Sequence, residues 1–140
     1  MPYSMLLVED DAAVLQTLKC VFESRGFEVS TATSASDAIR LLTHRQFDIV
    51  VTDMRMETDT AGYGVVRMAK AQTGQPVVII LSAFPIPAGE WRNSGADAMF
   101  LKGGGVRQML DELERLIRLR CKPTSPAPDT SGKIKEEKAG

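Results

Sequence analysis

The stretch Phe47–Glu57, FDIVVTDMRME, holds an apolar run that stops abruptly at an aspartate. Ile49, Val50 and Val51 lie too close together for one stripe of a surface helix, and all three are β-branched. Such a run suits a strand buried on both faces. Nothing in a buried strand calls for a carboxylate at its end, so Asp53 is either a turn residue or a reactive group.

Working outward from this strand, the same pattern recurs. Met5–Val8 (MLLV) ends on Glu9, Asp10 and Asp11; Val77–Leu81 (VVIIL) ends on Ser82; Ala98–Leu101 (AMFL) ends on Lys102. Phe27–Ala32 is a further strand. Between the strands, apolar residues recur at helical spacing. The spacing predicts helices over 12–24, from a serine cap at Ser34 or Ser36 to about His44, from Gly62 to about Gln72, and over 106–120. Only Gly89–Asn93 remains for a fourth helix, which is expected to be short or irregular. Strands alternating with helices imply an α/β fold: a doubly wound, five-stranded parallel sheet of the flavodoxin type, (βα)5.

A chain of 140 residues has room for one such core. Residues 1–121 are read as the domain, and 122–140, rich in Pro, Ser, Lys and Glu, as a disordered tail or linker. With 17 basic and 18 acidic residues there is no strong field for nucleic acid or a membrane surface. The N-terminus is too short in apolar residues for a signal peptide or a span. Cys20 and Cys121 show no metal-ligand spacing, as expected of reduced thiols in a cytoplasmic protein.

In an open parallel sheet the C-terminal strand ends share one edge, where ligands bind. Each polar residue there has an ordinary role on its own: Asp10 or Asp11 as a helix cap, Asp53 or Ser82 in a turn, Lys102 as a solvated charge. Together they put three acids, a hydroxyl and an ammonium at one crevice. Carboxylates so close repel one another unless a cation sits among them. A hard divalent ion such as Mg²⁺ or Mn²⁺, with oxygen ligands and retained waters, suits the set. An aspartate beside a metal and a lysine is equipped to attack phosphorus, and a hydroxyl at Ser82 could then bond a phosphoryl oxygen.

The ordered set LLVEDD, IVVTDM, ILSA and Lys102 resembles the receiver domain of two-component response regulators (CheY-like) over Met5 to about Arg120. The resemblance implies that Asp53 is the phospho-acceptor. It implies Asp10 and Asp53 as Mg²⁺ ligands, Glu9 as a ligand through water, and the backbone carbonyl of Arg55 as a third direct protein ligand. Ser82 and Lys102 would sense the phosphoryl group. It further implies a phosphoryl donor, either a sensor histidine kinase or a phosphotransfer protein, and a downstream protein partner, with chemistry confined to self-phosphorylation and self-dephosphorylation.

Three departures from the family pattern stand out. Glu57 stands where a proline usually stiffens the loop, so that rigidity is expected to be absent, and Arg55, nearby, is free to pair with Asp53 or Glu9 or to contact the phosphoryl group. Lys102 is followed by Gly103-Gly104-Gly105 rather than by proline. A cis bond without proline costs about 2.5 to 4 kcal/mol, so a trans peptide and a less firmly placed lysine are expected. The switch aromatic falls on Met99, and Phe100, one place on, faces the other side.

The alternative is a degenerate receiver that docks a protein without being phosphorylated. A phosphatase of the haloacid dehalogenase type would need a second aspartate at position 55. Gly62-Tyr63-Gly64 lacks a third glycine, Arg67 standing in its place, and His44 sits on a surface helix. A homodimer through the last strands and helices stays open, as does origin from a longer regulator.

Overall fold

The computed structural model describes residues 2–120. The chain divides into two compact units, Met1–Val106 and Arg107–Gly140. The expected tail, 122–140, and Cys121 lie outside the described residues.

The first unit is built on five parallel strands: β1 (Ser4–Val8), β2 (Glu28–Ala32), β3 (Ile49–Asp53), β4 (Val77–Ser82) and β5 (Ala98–Leu101), in the order β2-β1-β3-β4-β5. Alternating with them are α1 (Ala12–Ser24), α2 (Ala35–His44), α3 (Ala61–Lys70) and the short α4 (Ala88–Asn93). The β1-to-β2 connection runs one way across the sheet and the later ones run the other way. Right-handed crossovers therefore place α1 on the face opposite α2, α3 and α4. The reversal falls between β1 and β3, the strands that end in Glu9 and Asp53.

One core lies between the sheet and α2 and α3. Leu6, Val8, Val50, Val78 and Ile80 meet Ala35, Ala38, Leu42, Val65, Val66 and Ala69, all buried. Trp91 and Met99 are partly buried against this cluster, so Trp91 closes the core where α4 is short. The alternate strand positions, among them Met5, Leu7, Ile49, Val51 and Ile79, are buried on the other face. There Phe22 of α1 packs edge-on against Phe27, ring centroids 6.2 Å apart. The second unit carries α5, Val106–Arg120, which starts at the boundary; Glu112 and Arg115 pair along it, Nε to Oε1 2.9 Å.

The helix starts follow from local chemistry. Asp11, outside α1, accepts from Ala13 N and Val14 N, and Ser34 accepts from Asp37 N ahead of α2. Between the two serines offered by the sequence, the cap is Ser34. α1 closes on Gly26, whose φ of +92° is the left-handed conformation that ends helices. β3 runs one residue further than expected and includes Asp53, because Asp53 is still in register with Leu81 of β4 and Met54 N donates to Leu81 O.

Candidate functional site

β1, β3, β4 and β5 bring their last residues to one edge. Glu9, just past β1, is 1% exposed, and Asp53, ending β3, is 5% exposed; burial this deep is unusual for carboxylates without partners. The partner is Lys102. Its Nζ lies 2.7 Å from Glu9 Oε1 and 3.0 Å from Asp53 Oδ2. The remaining oxygens take backbone donors, Glu9 Oε2 from Asp11 N at 3.1 Å and Asp53 Oδ1 from Met54 N at 2.9 Å.

Burial pushes the Glu9 carboxyl above its ordinary value despite Lys102 and the Asp11 N–H, and the charge of Asp53 adds to the rise. Burial by itself would lower Lys102; contact with both carboxylates more than offsets it and holds the ammonium above its usual value. Lys102 is also fixed through its backbone, its N donating to Ser82 O at 2.7 Å. The three glycines after it therefore do not loosen it as expected. The peptide after it is trans, as are all those described, and Gly103 takes φ +82° to turn the chain away.

Asp10 is exposed beside this pair. Oxygens of Glu9, Asp10 and Asp53 lie within 4.8 Å of one another, close enough to share one cation. Glu9 Oε1 is buried and, although paired with Lys102, makes no well-aligned hydrogen bond. Two buried oxygens and an exposed one, all hard donors, fit an ion such as Mg²⁺ better than a soft metal.

Arg55 pairs with neither Asp53 nor Glu9. Its guanidinium lies over the Phe84 ring, 4.3 Å from the centroid, because Lys102 already occupies both carboxylates. Phe84 in turn is tied to Ser82: the Ser82 hydroxyl donates to Phe84 O at 2.6 Å and accepts from Phe84 N at 3.1 Å. Ser82 is thus buried at the edge with its hydroxyl engaged by its own loop. Met99 is packed against the core, not placed at the edge.

The loop after Asp53 is not slack. Glu57 reaches out of it to the start of α2, Oε1 accepting from Ala35 N at 2.9 Å and Oε2 from Ser36 N at 3.0 Å. These two N–H groups hold its carboxyl below the usual range. The sequence missed this role. The one local signal was a serine-capped helix with donors to spare, and the acceptor lies more than twenty positions away. At the loop's far end Gly62 N donates to Met54 O at 2.8 Å. A Cβ on Gly62 would fall 2.5 Å from Asp53 O and 2.8 Å from Met54 Cα, so only glycine lets α3 start this close.

Residues 5–114 match the family described as the response regulator receiver domain. The transcriptional regulatory protein GlrR of Escherichia coli is 34% identical over 86 residues, 61% of this chain and 19% of that protein. PrrA of Mycobacterium bovis, also a transcriptional regulatory protein, is 28% identical over 128 residues, 90% of this chain and 54% of that protein. The chain thus spans from about a fifth to about half the length of these two relatives. Among solved structures, the receiver domain of the Francisella response regulator 1452 superposes with a TM-score of 0.75 at 25% identity, covering 86% of this chain and 99% of that one.

Proposed function

Because the chain belongs to the response regulator receiver domain family, whose members partner with histidine kinases in phosphorelay signalling, we propose that Asp53 is its phospho-acceptor and that the reaction requires Mg²⁺. The observation that carries the proposal is the convergence of Glu9, Asp10, Asp53 and Lys102 on one edge, with Asp53 ending the central strand. A carboxylate needs no base to become a nucleophile. An Asp53 oxygen forms a bond to phosphorus as the bond to the donor, a phosphohistidine nitrogen or an acyl oxygen, breaks, leaving an acyl phosphate.

The chain's own groups divide the work. Met54 N holds one Asp53 oxygen and orients the carboxylate, while Lys102, the cation nearest the other, moves from pairing with that carboxylate to pairing with the phosphoryl oxygens. Glu9, Asp10, Asp53 and the Arg55 carbonyl would hold Mg²⁺, which would supply charge stabilisation to the transferring group. Ser82 would exchange its bond to Phe84 for one to the phosphoryl group, and the Phe84 loop would move with it.

The chemistry proposed is self-phosphorylation and hydrolysis of the same bond, without turnover of a separate substrate. The setting proposed is cytoplasmic; no helix among the described residues is long and apolar enough to cross a membrane. A phosphotransfer protein is the other donor class, and the output is proposed to be a protein interface, with self-association as one form of it.

Incubation with Mg²⁺ and acetyl phosphate, followed by intact mass, tests the reading. One added phosphate is expected, lost when Mg²⁺ is chelated and absent in Asp53→Asn. No Mg²⁺-dependent labelling, together with no Mg²⁺ binding, would instead favour a docking module that works without phosphate.

A further inference from the structure

We propose that Glu57 is a positioning residue for Mg²⁺ binding, tethering the Asp53 loop to the N-terminus of α2 so that the Arg55 carbonyl is held at the acidic edge. The inference rests on the phospho-acceptor reading above and assigns its site a residue outside the acidic cluster.

The loop from Met54 to Thr60 is pinned at its base, by Met54 N to Leu81 O and Gly62 N to Met54 O. Between these points its backbone bonds stay local, Met56 N donating to Thr58 O at 3.0 Å, and Ala61 N and Tyr63 N at the start of α3 donating to Thr58 O and Thr60 O. The Arg55–Met56 peptide is thus held through its N–H to Thr58 of the same loop, so its carbonyl keeps its place at the acidic edge only as far as the loop as a whole is held. Two side chains hold it. Arg55 leans on Phe84 to one side, a contact worth little when exposed. Glu57 reaches the other way and takes two backbone donors at once, a charge-assisted bidentate contact.

The anchor is itself firm. With Ser34 accepting from Asp37 N, the three N–H groups of Ala35, Ser36 and Asp37 all have acceptors. α2 is also joined to the edge by the preceding strand, since Glu9 N donates to Ala32 O at 3.0 Å. Glu57 therefore fixes the loop against the part of the sheet that carries Glu9. Both of its oxygens are committed to α2, which makes it a tether and not a ligand. It restrains by a polar clamp what a proline restrains through its ring.

The test uses the full chain and its Glu57→Ala, Glu57→Gln and Ser34→Ala variants, titrated with MgCl₂ by calorimetry and assayed for acetyl phosphate labelling at limiting and saturating Mg²⁺. Glu57→Ala is expected to weaken Mg²⁺ about tenfold, of the order seen when a group supporting a ligand is removed. Its labelling should drop at limiting Mg²⁺ and recover at saturation. Glu57→Gln, keeping one acceptor oxygen, should lie between. Ser34→Ala removes a cap from the same helix without touching the loop; it should unfold at lower denaturant yet bind Mg²⁺ as the parent does. Equal Mg²⁺ affinity in Glu57→Ala and parent would overturn the tether, and so would an equal loss in Ser34→Ala, which would reduce Glu57 to a helix cap. Failure of the parent itself to bind Mg²⁺ would overturn the tether, and no labelling of the parent as well would remove the phospho-acceptor reading.

Discussion

Lys102 governs the electrostatics of the acidic edge, since among the described residues it alone pairs with both buried carboxylates. Replacing it with methionine leaves Glu9 and Asp53 uncompensated, and a loss of about 1–3 kcal/mol is expected in denaturant unfolding. Added Mg²⁺ should restore much of that loss in Lys102→Met and raise the parent less, because the parent carries its own counter-charge. Asp53, Glu9 and Lys102 could be read from sequence because each directly follows or ends an apolar run, and parallel strands bring such ends together. Arg55 could not. Its charge suggested a carboxylate partner, but Lys102, nearly fifty positions further on, takes both, and the guanidinium settles on an aromatic ring. Glu57 was misread for a related reason: the absent proline was visible, while the N–H groups that Glu57 binds belong to α2, more than twenty positions back.

The elements themselves were largely legible, since β-branched runs and helical spacing are local properties; their ends were less so, because ladder pairing decides them, as at Asp53. The start of α3 shows what such an end can control. At Gly62 a methyl group would press on the backbone of Asp53 and Met54, which cannot swing aside as a side chain can. Gly62→Ala is therefore expected to cost about 1–3 kcal/mol in chemical denaturation and to slow Asp53 labelling, even at saturating Mg²⁺. Between α3 and α4, the Tyr63 hydroxyl donates to Glu90 Oε2 at 2.5 Å. Burial, the bond to Glu90 and the glutamate's charge push the phenol up to about 12. The folded state thus favours the neutral phenol. Its contribution to stability is complete below the phenol's ordinary value of about 10 and is lost as pH rises through about 12. An ultraviolet titration should place the phenolate signal that disappears in Tyr63→Phe at the higher value, and Glu90→Gln should bring it down.

Across the first unit, the two edges of the sheet carry different work. The C-terminal edge gathers the charged cluster of Glu9, Asp10, Asp53 and Lys102. Near the start of β4, Lys70 Nζ donates to Pro76 O at 2.9 Å and to Asp97 Oδ2 at 2.7 Å, and the same Asp97 oxygen accepts from Val78 N. Asp97→Ala would strand a half-buried ammonium and a strand N–H, for a loss of about 2–4 kcal/mol by denaturant unfolding. Mg²⁺ affinity, measured on the folded variant, should stay at the parent value, because nothing at the acidic edge changes. The division follows from having every strand parallel. It also sets what kind of ion the acidic edge can discriminate. Glu9, Asp10 and Asp53, when ionised, carry three negative charges, and Lys102 cancels one of them. Two remain, matched by a single divalent cation, whereas one sodium or potassium ion would leave the edge short by a charge. On the Mg²⁺ reading proposed above, the lysine, by cancelling one acid in advance, would match the edge by valence to a scarcer divalent ion over abundant monovalent ones.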